Sequence, residues 1–322
     1  MTELTNLTAD ILPGTSAPTV KKILEAGITT LEDLARQNPK LLAKQTKMGE
    51  DTATRAVNTA LKLVSDGYIT GTQLHDRNLT RNRLTTGSTE LDTLLGGGVE
   101  EETTTEIAGK NGSGKTQLMH MLAINAQLPV ENGGLGGKVV WIDTEGTFRP
   151  DRILEICKAR ELDGAAMLEG VIYGEAYHSG HQKTLITELG EQCHEHNVKL
   201  VIVDSMMAHL RSEYLGRGML SDRQVTLNDM LQRLAKISRT HKLTVVYTNQ
   251  MMDNPGAMFQ KAAGIAVGGN IMGHAATTRL EIRKGRLDKR IVGLTKSPYL
   301  PEGEAVIRIT TMGVEDVESE ES

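Results

Sequence analysis

Residues 109–116 read GKNGSGKT, and that octet limits what this chain can fold into more than any other stretch. It meets G-x-x-x-x-G-K-[ST] at every fixed position. The apolar run TTTEIAG precedes it and the helix-forming run QLMHMLA follows it. A glycine-rich turn between a buried strand and a helix converges backbone N–H groups on one point, where the helix dipole adds roughly half a positive charge. Gly109, Gly112 and Gly114 let the backbone close in, and Lys110, Asn111 and Ser113 fill the loop between them. Lys115 is placed for the β- and γ-phosphates of a nucleotide, the Thr116 hydroxyl for Mg²⁺, and Gln117 for the same pocket. The expected ligands are ATP and Mg²⁺.

Such a loop belongs to a mostly parallel α/β sheet, and the chain alternates accordingly. Strands are predicted at TTTEIAG, KVVWID, GVIYG, KLVIVD and LTVVYTN. Helices are predicted over 114–127, 149–160, 180–196 and 221–240. TTRLEIRKG, KRIVGLT and EAVIRIT lack long helices between them and read as antiparallel strands extending one edge. Polar residues at strand ends mark the crevice where such sheets bind ligands. Asp204, after KLVIV, would hold the Mg²⁺ water shell beside Thr116. Glu145, two residues past KVVWID, is set to orient and deprotonate an attacking water, with capping of the next helix as the alternative. Arg152 can lay its guanidinium over an adenine face. Asn249 and Gln250 end LTVVYTNQ, and a glutamine there can sense the γ-phosphate. The segment after it, MMDNPGAMFQKAAGIAVGGN, is long, Gly/Ala-rich and poor in charge, as expected of a loop that gains a partner.

The remaining regions divide as 1–65 helical, 66–84 linker, 85–314 ATPase core and 315–322 acidic tail. In the first, Leu12, Val20, Ile23 and Leu24 recur at helical spacing after a Pro-Gly turn, and a looser copy follows the Gly turn at 49. Paired helices of this helix-hairpin-helix type either offer turn amides to a DNA phosphate or dock on proteins. A net charge of −5 excludes a uniformly basic nucleic-acid packaging protein but leaves local basic surfaces open. Two distant cysteines, Cys157 and Cys193, with no CxxC pair suit a reducing compartment. CHEH at 193–196 points its side chains apart and reads as incidental. The start MTELTNLTAD has neither a basic nor an apolar run, and no apolar stretch is of membrane-spanning length. The expectation is a cytoplasmic, nucleoid-associated protein without membrane contact.

TTGSTELDTLLGGGVE, GSGKTQ, GGLGGKVVWIDTEGTFRPDRI, SEYLGRGMLSDRQ, GGNIMGHAATTRLEIRKGRLDKRI and SPYLPEGEAVIRI, in that order, resemble the RecA-type strand-exchange recombinases, most closely their archaeal RadA branch. The resemblance covers nearly the whole chain. It implies a RecA-like core whose copies stack into a helical filament, with rings as a further form, and ATP at each seam. Partners would be single- and double-stranded DNA, and the activity a DNA-dependent ATPase coupled to homologous pairing and strand exchange in DNA repair. Arg211, Arg217 and Arg223 carry over as phosphate contacts in one DNA loop, and Phe259 and Lys261 as contacts in the second. GYITGTQ matches a polymerisation element that adds a strand to the adjacent core, with Tyr68 for the usual Phe and Gly71 for the usual Ala. Ser16 stands where the hairpin ordinarily has glycine. His274 and Glu302 fall at the interface with the next copy's nucleotide. Lys296 replaces a family aspartate that recruits a monovalent cation, and its ammonium would substitute for that ion in catalysis. The alternatives are an accessory recombinase-like ATPase that remodels filaments without exchanging strands, and a RecA-fold motor. Against the first, short paralogues of that kind often lack the N-terminal domain or a loop, both kept here.

Overall fold

The computed structural model describes residues 4–252, 265–266 and 269–317. Four helices form the N-terminal bundle: α1 (Ala17–Glu25), α2 (Leu31–Ala35), α3 (Pro39–Thr46) and α4 (Glu50–Val64). Side-chain caps start α2 and α3, whereas Ser16 before α1 and Gly49 before α4 make no such bond to the helix amides. Thr30 accepts from the Asp33 amide, Asn38 accepts from Lys40 and Leu41, and Ser16, the residue before α1, holds Thr19 by its hydroxyl at 2.9 Å. Leu12, Val20 and Ile23 are buried with Leu34 and Leu42 in a separate small core. Leu24 is not among them; it is 41% exposed, on the outer side of α1.

A correction falls in the linker. Its polar pattern shows no apolar stripe, yet α5 (Gly71–Leu79) is a helix, started by a full capping box in which Thr70 and Gln73 satisfy each other's amides. None of its residues is buried. Its formation rests on local bonds rather than on packing.

The core opens with β1 (Arg83–Leu84) and β2 (Val99–Glu100), an antiparallel pair flanking α6 (Thr89–Leu94). Then come β3 (Thr104–Gly109), α7 (Lys115–Asn125), β4 (Lys138–Asp143), α8 (Pro150–Ala159), α9 (Gly164–Glu169), β5 (Val171–Glu175), α10 (Ser179–Glu195) and β6 (Val198–Asp204). The rest is α11 (Ala208–Glu213), α12 (Leu220–Thr240), β7 (Thr244–Met252), β8 (Ile265–Ala266), α13 (Gly269–Ala275), β9 (Thr278–Lys284), β10 (Lys289–Lys296), β11 (Gly303–Thr310) and β12 (Gly313–Asp316). Ten strands make one sheet in the order β12-β11-β10-β9-β3-β7-β6-β4-β5, with β8 paired to β7. Successive residues of the central strands feed opposite faces. Val139, Trp141, Leu200 and Ile202 pack with α7 and α8; Val140, Ile142, Val201 and Val203 pack with α10 and α12.

Two sequence expectations need correcting here. β9 runs parallel to β3, not antiparallel; the antiparallel extension begins one strand later, at β10. The acidic tail begins after Asp316 and not at Glu315, because Glu315 and Asp316 belong to β12. The Asp316 carboxylate accepts from Ser88 Oγ at 2.5 Å and from the amides of Thr89 and Glu90 at 3.0 and 3.1 Å. It therefore caps α6 across the domain, which the sequence pattern does not disclose.

Candidate functional site

The carboxyl ends of β3, β6 and β7 open on a pocket of about 270 Å³ lined by Asn111, Gly112, Gly114, Lys115, Thr116, Gln117, Glu145, Asp204 and Gln250, together with Thr147, Arg290 and Ile309. Glycine is required at two points of the loop. Gly114 has φ +111°, and a Cβ there would meet Ile309 Cδ1 at 2.5 Å; one on Gly109 would meet the Ile282 carbonyl at 2.5 Å. The Ser113 hydroxyl is buried and has no hydrogen-bond partner among the described residues.

Lys115 is 9% exposed, and its ammonium donates to the carbonyls of Gly109 and Lys110 at 3.0 and 3.1 Å. Burial pushes it below the usual lysine value, against the pull of Asp204 and Glu145. Asp204 is 4% exposed and accepts from the hydroxyls of Thr116 (2.7 Å), Thr147 (3.4 Å) and Thr248. Burial raises its carboxyl above the usual range. Both groups are polar, buried and short of countercharge, which a triphosphate and a divalent cation would supply. Thr116 and Asp204 offer hard oxygen donors of the kind Mg²⁺ takes alongside nucleotide phosphates and water. Among the described residues no group of three or more His, Cys, Asp or Glu is placed to hold a metal, the CHEH stretch included.

Glu145 is aimed by its neighbours. Asp143 accepts from the Glu145 amide at 3.0 Å and the Phe148 amide at 2.9 Å, folding the turn after β4 over the pocket. Ser205 Oγ donates to Glu145 Oε1 at 2.6 Å, and Gln250 Nε2 donates to both carboxylate oxygens at 3.2 and 3.3 Å. Helix α8 takes Arg149 as its N-cap residue, so Glu145 is not its cap. Asn249 turns the other way, donating to the buried Glu106 carboxylate at 2.8 Å.

Arg152 sits beside the pocket rather than lining it. Its guanidinium donates to Gln117 Oε1 (2.8 Å), Glu155 Oε2 (2.5 Å) and the Thr310 carbonyl (2.5 Å). Gln117 serves here as an anchor for Arg152. Sequence reasoning missed Arg290, which lines the pocket from β10 with its Nε buried and without a hydrogen-bond partner among the described residues. It also missed Asp143, Ser205 and His120. No short motif marks these four, although each lies within four residues of a strand end or the phosphate loop.

Outside the pocket, Arg211 is exposed on α11, Arg217 opens a short 3₁₀ turn, and Arg223 lies half-buried at the start of α12. Phe259 and Lys261 lie outside the described residues. Tyr68 is 107% exposed, and the space around Gly71 is open for at least 4 Å. His274 and Glu302 are exposed. Lys296 is fastened within its own chain: Nζ donates to the carbonyls of Gly273, His274 and Ala276 at 2.8, 3.0 and 2.7 Å. Among the described residues no helix is long and apolar enough to cross a membrane.

A phosphate loop, an acidic residue at the end of β6 and a carboxylate over the pocket, on this sheet order, define a RecA-like P-loop nucleotide-binding core carrying a small helical domain. Residues 78–317 match the Rad51 family, and residues 12–60 match the SAM-like helix-hairpin-helix tandem. The chain is 41% identical over 313 residues to the DNA repair and recombination protein RadA of Cenarchaeum symbiosum (strain A), covering 95% of this chain and 78% of that relative. The chain belongs to the Rad51 family.

Proposed function

We propose that this protein is an ATP-dependent DNA recombinase that forms a helical filament on single-stranded DNA, pairs it with homologous duplex and exchanges strands during recombinational repair. The observation that carries the proposal is the Gln250–Glu145 contact. It joins Glu145, the candidate for activating water, with the end of β7, just before the long segment that follows it.

In this reading the loop amides and Lys115 bind the β- and γ-phosphates while Thr116 and Asp204 hold Mg²⁺, which when bound neutralises charge developing on the phosphates. Glu145 orients the attacking water and takes its proton. Gln250 shifts its amide between Glu145 and the γ-phosphate, so that the DNA loop following it differs between nucleotide states. Arg152 stacks on the adenine. Tyr68 and Gly71 insert into the adjacent core, which suits an aromatic side chain left wholly exposed on a linker. Lys296, His274 and Glu302 face the neighbour's nucleotide. Arg211, Arg217, Arg223 and Lys261 grip DNA phosphates, with Phe259 at the bases, giving sequence-independent, salt-sensitive binding.

Electron microscopy with single-stranded DNA and a slowly hydrolysed ATP analogue should show helical filaments, and the same preparation should produce joint molecules from homologous duplex. Persistent monomers or closed rings without joint molecules would refute the reading; filaments without strand exchange would favour the accessory alternative.

A further inference from the structure

The N-terminal bundle and the core meet along a cleft of about 440 Å³ between the α1–α3 region and helices α10 and α12. Arg36 lines it from the bundle, and Arg233, Lys236 and Arg239 line it from α12, against the carboxylates Asp33 and Asp229. Both carboxylates are already engaged. Asp229 holds Lys183 Nζ at 2.8 Å and Arg233 Nε at 3.2 Å; Asp33 lies 3.2 Å from His241 Nε2 in a buried contact that joins the two domains. Glu102, the remaining carboxylate felt by Arg36, is paired with Arg81 at 3.3 Å.

Arg36, Lys236 and Arg239 are left without an ion pair or side-chain hydrogen bond to any described residue. They disfavour one another. Desolvation within the cleft, then the charges of Arg239 and Arg77, hold Arg36 below its usual value although the residue stays open to solvent. Burial, then Arg233 and Arg36 working against Asp33, bring Lys236 down to about 8. Like charges gathered at a seam between two domains loosen that seam unless an anion fills it. Arg36 on the bundle wall and Lys236 and Arg239 on the α12 wall line one cleft, where their guanidinium and ammonium groups offer several charge-assisted donors to the oxygens of a phosphate anion.

We propose that this seam is a binding site for a compact multivalent phosphate anion, held by Arg36, Lys236 and Arg239 together and cementing the bundle onto the core. The phosphate comes either from a free polyphosphate or from a nucleic-acid backbone. The test is calorimetric titration of the full-length protein with pyrophosphate, after Mg²⁺ and a non-hydrolysable ATP analogue have filled the phosphate loop. One site per chain is expected, weakened about tenfold by each of Arg36→Gln, Lys236→Gln and Arg239→Gln. Lys21→Gln, on the outer face of α1, should leave it unchanged. No binding once the phosphate loop is filled, or an affinity indifferent to all three substitutions, overturns the proposal. Saturating duplex oligonucleotide then separates the sources. Displacement of pyrophosphate, with a parallel loss of duplex binding in the three variants, assigns the site to a backbone phosphate; undisturbed pyrophosphate binding assigns it to a free anion.

Discussion

Gln250 Nε2 donates to both oxygens of Glu145, at 3.2 and 3.3 Å, bridging the end of β7 and the turn after β4. The carboxylate is thereby restrained without being neutralised, since an amide carries no charge and Ser205 adds only a hydroxyl. Glu145→Gln keeps the shape and one acceptor oxygen for Ser205 and Gln250 but removes the base. Hydrolysis should fall by roughly 10²–10⁴-fold while nucleotide affinity stays within about twofold. Gln250→Ala should instead preserve basal hydrolysis and lose its stimulation by single-stranded DNA. Steady-state ATPase assays with and without DNA read both. An E145Q variant of near-normal turnover would remove Glu145 from the mechanism.

Lys296 sits on the negative end of α13, its ammonium shared among three carbonyls at 2.7–3.0 Å. Burial lowers its pKa, yet the carbonyls give the charged form three acceptors. In the proposed reading this ammonium takes the place of a monovalent cation. Turnover of the native protein should therefore be the same in sodium and potassium salts, within about twofold. Lys296→Asp sets a carboxylate against those carbonyls, a repulsion that a bound cation relieves. Its activity should become potassium-dependent by about tenfold. A strong potassium requirement in the native protein would contradict the assignment.

The legible parts of this chain are those where a short-range rule and burial agree. Asp204 closes one apolar strand, Gln250 lies near the end of another and Glu145 follows a third by two residues, so strand pattern and the phosphate loop together place them at one crevice. The direction of β9 is different in kind. It depends on how the chain crosses the sheet after β7, through a low-charge segment with no periodic signal. α5 was hidden because it buries nothing and so has no stripe, although the Thr70–Gln73 capping box stands in plain sequence. Asp316 acts through partners 226–228 positions away, and Arg290 lines a pocket whose phosphate loop lies far off in sequence. Asp143 works locally, on the amides of Glu145 and Phe148, but no short pattern distinguishes any of the three from surface charges.

The Asp316 carboxylate accepts one hydroxyl and two amides at the start of α6, and these bonds draw its pKa below the usual carboxylate range despite some burial. Truncation after Val317 should leave thermal stability unchanged. Asp316→Ala should cost about 1–2 kcal/mol, the typical loss of a helix cap, measured by chemical denaturation. The contribution is present above the unfolded carboxyl pKa and fades as pH falls through the lower folded one. Equal stability of the native protein and D316A would show that α6 is held by its packing alone.

His120 ties the phosphate-loop helix to the turn that carries Glu145. Its Nδ1 lies 2.7 Å from the Thr116 carbonyl, and its Nε2 accepts from the Arg149 amide at 3.2 Å. Only the neutral ring with hydrogen on Nδ1 satisfies both. The ring is 1% exposed, packed by Trp141 and Phe148, and burial pushes its pKa down to about 4, outweighing the help of Thr116. The unfolded chain takes up this proton near the ordinary histidine value of about 6.5. Folding stability from this site is thus complete above that pH and is lost as pH falls towards 4, by about 3 kcal/mol in all. His120→Phe keeps the aromatic contacts and removes both bonds. Its denaturation midpoint should lose the steep decline between pH 6.5 and 4, and its kcat should fall with little change in KM as the Glu145 turn loosens. An unaltered pH slope in the variant would mean that acid sensitivity originates elsewhere.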